Sequence, residues 1–225
     1  MSRRDNHRAR CSTCHMHMTL CVCALVPSLD TGARLSLLIH YREARKPTNT
    51  GQLAARCLKT STIGLVGDRA HPLPLPLVRG DEQGLLLFPA EGSLPLAAFK
   101  GTQRPVVLVV PDGNWRQAAK MRHRVPGLAQ LPCVVLPECP ATNYRLRAEP
   151  REDGLATMEA IAYALGILEG PHIQTALLRL FKIMVERTLW LRGALCDHEV
   201  SGGIPSTAVA NDPRGAGNAR PQIES

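Results

Sequence analysis

Four groups of residues in this 225-residue chain have types and spacings able to do chemistry. The first is a set of cysteines, Cys11-Ser-Thr-Cys14 and Cys21-Val-Cys23. Four thiolates this close can complete a tetrahedral zinc shell, which leaves no open position for water and makes the metal structural. His15 and His17 are alternative ligands for one thiolate, and four reduced thiols or a redox pair form the plainer reading. The second group is Val109-Val-Pro-Asp-Gly-Asn-Trp115, where an apolar run gives way to a basic helical pattern. Asp112 and Trp115 suit a site at that junction; the plainer reading makes Asp112 the N-cap of a helix from Gly113 and Trp115 a core residue. In the third, Tyr144-Arg-Leu-Arg147, two guanidiniums lie on one side of an extended segment, as a carboxylate, a phosphate or a solvated edge would allow. The fourth, Ala156-Thr-Met-Glu-Ala160, opens a helix, where Thr157 and Glu159 either cap amides or meet a ligand at the positive helix end.

The elements that must position these groups follow from hydrophobic pattern. Leu35–Ile39, Leu85–Phe88, Val106–Val110 and Cys133–Leu136 are short continuous apolar runs, and the last three stop at Pro89, Pro111 and Pro137. A further short strand is expected at Ile63–Val66, and helices at Gln52–Leu58, Gly154–Glu169 and Ile173–Leu191. Apolar strands separated by helical patterns predict an α/β domain, a mostly parallel sheet with helices on both faces. Ligands collect beyond the carboxyl ends of such strands, which is where the proline-stopped segments lie. The expected organisation is a flexible basic arm over 1–10, a cysteine-rich zinc knuckle over 11–30, the α/β domain over 31–200 and a disordered Gly/Pro/Asn-rich tail over 201–225.

Composition narrows the partner. No run approaches the roughly 20 apolar residues that span a bilayer, and the basic N-terminus leads into cysteines rather than an apolar signal core. A cytoplasmic, membrane-free protein is expected, with Cys57, Cys133, Cys139 and Cys196 as ordinary thiols. The net charge of +8 favours a polyanion, nucleic acid before membrane. Arg42, Arg45, Lys46, Arg56 and Lys59 form one candidate RNA-binding group; Arg116, Lys120, Arg122 and Arg124 form another.

His40-Tyr-Arg-Glu-Ala-Arg-Lys-Pro-Thr-Asn-Thr-Gly51, Leu87-Phe-Pro89, Asp112-Gly-Asn-Trp115, Tyr144-Arg-Leu-Arg147 and Thr157-Met-Glu-Ala160 occur in the order found in DTW-domain proteins. With the cysteine cluster, the resemblance runs from about residue 11 to 195. The chain departs from the family pattern in the extra residue between Asp112 and Trp115, in Tyr41 where proline is common, and in Ala156 where serine is common.

The family comprises tRNA-uridine aminocarboxypropyltransferases, similar to the ribosomal-RNA enzymes and related to the SPOUT class. The resemblance implies a SPOUT-like, trefoil-knotted cofactor pocket, S-adenosylmethionine as donor and tRNA as acceptor. It implies transfer of the 3-amino-3-carboxypropyl group to uridine N3 with release of methylthioadenosine. In that scheme Asp112 is the expected base and Trp115 a wall or stacking partner. Phe88, Pro89, Asp112, Thr157 and Glu159 surround the donor, and Arg145 or Arg147 holds its carboxylate or else a tRNA phosphate. A monomer or homodimer fits equally. An RNA methyltransferase on the same fold and a non-catalytic zinc-dependent RNA-binding protein are the rivals.

Overall fold

The structure is a computed structural model that describes residues 9–44, 46, 49–68, 70, 73, 75–146 and 154–215. Its strands are β1 (Arg34–His40), β2 (Ser61–Val66), β3 (Gln83–Leu87), β4 (Leu94–Pro95), β5 (Val106–Asp112) and β6 (Cys133–Val135). The helices are α1 (Gly51–Arg56), α2 (Trp115–Arg124), α3 (Thr157–Glu169) and α4 (Pro171–Leu191). The strands form one sheet in the order β2-β1-β5-β3-β6-β4, with every pair parallel.

Both sheet faces are covered, which is why the strands read as continuous apolar runs. Side chains alternate between two cores at period two. Leu35, Leu37 and Ile39 of β1 and Val106, Leu108 and Val110 of β5 join the core shared with α1, α3 and α4. Leu38, Val107 and Val109 point the other way, onto Met121 and Val125 beside α2. The α3–α4 connection is a single residue, Gly170, at φ +119°, a conformation that glycine adopts without strain, and Pro171 takes the first position of α4. No helix among the described residues is long and apolar enough to cross a membrane.

Two expected boundaries differ. The cysteine-rich segment is not a unit apart, because Met16, Leu20 and Val22 belong to the same core as α3 and α4. From α4, Arg187 Nη1 donates to the Cys21 carbonyl at 3.1 Å. Residues 201–215 are likewise not a disordered tail. Gly202 and Gly203, at φ +74° and +71°, turn the chain back against α4. Ser201 N donates to Glu186 at 2.7 Å, and Ala208 is fully buried in a 3-10 turn over Ser206–Asn211. Arg214 then bonds the Leu195 carbonyl and Asp197, whose other side-chain donor is Trp190. The Gly/Pro composition served tight turns here. The rest of the expected tail, and residues 1–8 of the expected arm, lie outside the described residues.

Ending the chain after Val200 removes these bonds and the cover over Trp190. We expect a loss of about 3 kcal/mol or more in unfolding free energy, measured by urea denaturation against the full chain. An unchanged midpoint would mean that residues 201–215 add nothing to the core.

Candidate active site

The carboxyl ends of β3, β5 and β6 open onto a cavity of about 910 Å³. Its walls come from Leu87, Phe88 and Pro89 after β3, Val110 to Trp115 on the β5–α2 junction except Asp112, and Val134 to Thr142 after β6. Thr157 and Ala160 of α3, Leu155 just ahead of it, Ala118 of α2, and Glu43 and Lys46 from the turns after β1 complete it. Five of the sequence-predicted residues meet there: Phe88, Pro89, Trp115, Thr157 and Lys46, the last expected as an RNA contact.

Asp112 ends β5 opposite Ile39 of β1 and is 7% exposed. Its Oδ2 accepts from Asn49 Nδ2 at 2.5 Å and its Oδ1 from Thr157 Oγ1 at 2.6 Å. One carboxylate thus ties the residue just ahead of α1 and the first residue of α3 to the central strand, and Thr157 stands between it and the cavity. Gly51 makes the approach possible: a Cβ there would fall 2.9 Å from Asp112 Oδ2 and 3.2 Å from both Leu37 and Thr157.

Asp112 is not the cap of α2. Asn114 is, accepting from Gln117 N at 2.9 Å while Gln117 Oε1 accepts from Asn114 N at 2.8 Å. The extra residue between Asp112 and Trp115 therefore has a local job: it lets the helix cap be Asn114 and leaves the aspartate to α1 and α3. Trp115 is not a core residue. It is 36% exposed, lines the cavity and lies 5.9 Å from the Phe88 ring centre.

Glu159 is placed differently from the expectation. It is 1% exposed, and its oxygens accept from Thr142 Oγ1 at 2.5 Å and from the amides of Asn143 and Ala156, both at 2.9 Å. It closes the N-terminus of α3 and holds the 137–142 wall from behind without lining the cavity. Tyr144 and Leu146 are buried, which turns Arg145 outward; it is exposed and not on the cavity wall. Arg147 lies outside the described residues.

The first basic group does not assemble. α1 runs back from the carboxyl edge of the sheet to the start of β2, so Arg56 and Lys59 sit at the edge away from the cavity. Lys59 pairs there with Asp30 at 3.0 Å. Lys46 pairs with Glu43 at 2.6 Å. Arg42 lies in the turn after β1 and does not line the cavity, its Nε donating to Tyr41 Oη at 2.9 Å, and Arg45 is outside the described residues. The second group does assemble: Arg116, Lys120 and Arg124 are exposed at helical spacing along α2, with Arg122 half-buried. His40, at the end of β1, accepts from Arg42 N at 3.3 Å; burial and then the Arg42 charge push its pKa down, favouring the neutral ring.

The four cysteine sulfurs lie within 4.8 Å of one another, with Cys11–Cys23 at 3.8 Å and Cys14–Cys21 at 3.6 Å. Zinc–thiolate bonds of about 2.3 Å place tetrahedral sulfurs about 3.8 Å apart, so the cluster is compatible with zinc. His15 and His17 are not part of it.

Sequence reasoning missed Asn49 and the Glu43–Lys46 pair. The pair's i, i+3 spacing within a segment of both charge signs was the available signal.

The family model described as DTW domain matches residues 8–189. The tRNA-uridine aminocarboxypropyltransferase 2 of Drosophila melanogaster is 28% identical over 77% of this chain and 72% of its own length. The proteins of that name from Mus musculus and Macaca fascicularis are 30% and 28% identical, each over 76% of this chain and 61% of its own length. No solved structure matches the chain.

Gly51→Ala gains up to about 1 kcal/mol of helix propensity but overpacks the junction of Asp112, Leu37 and Thr157 at a cost of about 1–3 kcal/mol. A net destabilisation is expected in urea unfolding; a stabilised variant would show that the approach of α1 to β5 is loose.

Proposed function

Since the chain belongs to the DTW domain family, we propose that it is a tRNA-uridine aminocarboxypropyltransferase using S-adenosylmethionine as donor. The observation that carries this reading is the cavity wall itself. Phe88-Pro89, the Gly113–Trp115 junction and Thr157 are distant in sequence, yet they converge on one space large enough for a nucleoside-sized donor. The donor supplies a sulfonium whose neighbouring carbons are open to displacement.

In the reaction, uridine N3 forms a bond to the donor's Cγ, the Cγ–S bond breaks, and its electron pair stays on sulfur as neutral methylthioadenosine. The N3 proton must leave. Thr157 Oγ1 already donates to Asp112 Oδ1 and lines the cavity. It can accept the N3 proton while passing its own to the carboxylate, so Asp112 acts as base through Thr157. Trp115 provides a flat face for the target base, where stacking contributes about 1–3 kcal/mol. Arg116, Lys120 and Arg124 continue from Trp115 along α2 as phosphate contacts, and the target uridine enters unpaired because pairing engages N3. A structural zinc on Cys11, Cys14, Cys21 and Cys23, a cytoplasmic location, a monomer or homodimer and the knotted pocket implied by the resemblance belong to the same proposal.

Incubation of unmodified tRNA with the protein and S-adenosylmethionine should give aminocarboxypropyl-uridine in nucleoside mass spectra, with methylthioadenosine released. A methylated nucleoside instead would assign the fold to methyl transfer, and no product together with no donor binding would end the catalytic reading. Thr157→Val should lower kcat by about 10²–10⁴-fold while donor affinity stays, with Thr157→Ser recovering most of the rate; full activity in the valine variant would remove the relay. Elemental analysis should find one zinc per chain, lost together with thermal stability in Cys21→Ser. A metal-free wild-type protein of equal stability would leave the cluster as plain thiols.

A further inference from the structure

The Glu43–Lys46 pair has no role in the scheme above, and its position is unusual for a stabilising ion pair. Successive turns after β1, with Glu43 N to His40 O at 2.7 Å and Lys46 N to Glu43 O at 3.0 Å, put residues 43 and 46 on one side of the chain, where both line the cavity. Glu43 is 8% exposed, whereas the Lys46 side chain is 49% exposed. A buried carboxylate matched with a half-exposed, flexible lysine gains little folding energy, because desolvation offsets most of the attraction. The same two charges side by side match a zwitterion, whose carboxylate and ammonium are also adjacent and of the opposite order.

We propose that Glu43 and Lys46 form the subsite for the α-amino-acid end of the donor, Lys46 receiving its carboxylate and Glu43 its ammonium. The inference rests on the donor reading above and deepens it. Lys46 is the one cation among the described residues that line the cavity, and Arg145 is not on its wall. The lining carries Glu43, Glu138 and Lys46, a formal −1 that complements the +1 of a donor with a sulfonium, an ammonium and a carboxylate.

Sheet order sets the direction. β5 lies between β1, which leads to the pair, and β3 and β6, whose ends supply the apolar Leu87, Phe88, Val134 and Leu136 suited to adenosine. A donor lying across the strand ends in this sense has its sulfonium over the end of β5. There Thr157 and Trp115 stand, and the carbon on the Glu43–Lys46 side of sulfur is Cγ. The subsite therefore selects which of the three sulfonium carbons faces the nucleophile.

Calorimetric titration of the full chain with three probes tests this. S-adenosylmethionine has both charges, decarboxylated S-adenosylmethionine keeps only the ammonium, and methylthioadenosine has neither. Lys46→Met should weaken S-adenosylmethionine about 10–100-fold and leave the other two within about twofold. Glu43→Gln should weaken the first two and spare methylthioadenosine. Equal losses for all three probes, or an unchanged affinity of Lys46→Met for S-adenosylmethionine, would overturn the subsite while leaving the donor reading intact. A wild-type protein that binds none of the three would remove the donor reading and the subsite with it. Thermal unfolding of each variant separates lost recognition from lost fold.

Discussion

The site depends on one buried carboxylate at the end of the central strand. Asp112 accepts from Asn49 on one side and Thr157 on the other, and so joins the approach to α1, the end of β5 and the start of α3. Around it the packing leaves no slack: the Gly51 backbone is close enough that a methyl group would touch the carboxylate. Thr50 adds a second tie between the same helices, its hydroxyl accepting from Met158 N at 3.2 Å. Because every other cavity wall grows from these elements or from neighbouring strands, a displacement of this aspartate would move Thr157, the β5–α2 junction and the turns after β1 together.

Three buried carboxylates near the cavity divide the work according to what faces them. Asp112 meets side-chain donors and organises the strand end. Glu159 meets a hydroxyl and backbone amides, which hold the 137–142 loop and cap α3. Glu43 meets a lysine and stays on the wall, available to a ligand. The chemical type is nearly the same in all three; the donors that surround each one decide whether it builds the site or presents a charge to it.

On the far side of the same core, the cysteine cluster, α4 and residues 201–215 form a continuous body. The Arg187 guanidinium is buried between them, donating to the Cys21 and Gly203 carbonyls, and burial lowers its pKa. A cation is costly to bury. The two carbonyl acceptors meet part of that cost by taking hydrogen bonds from the charged group.

By itself the sequence determined the parallel sheet, from apolar runs at strand length, and where the cavity opens, from runs that stop at proline beside polar residues. It also determined the cysteine cluster, from spacing too tight to need a fold. These are local properties, written in neighbouring residues. Only the tertiary structure decided what each polar side chain meets. Asn114 rather than Asp112 caps α2, since the helix starts at Trp115 and the aspartate is engaged by Asn49 and Thr157. Glu159 stands behind the wall because a loop folds over it. Arg56 and Lys59 part from Arg42 because α1 carries them to the opposite edge. Residues 201–215 pack because α4 and the cysteine segment offer them a surface. Side-chain direction and long-range hydrogen bonds are set by elements far away in the chain, and no local pattern encodes them.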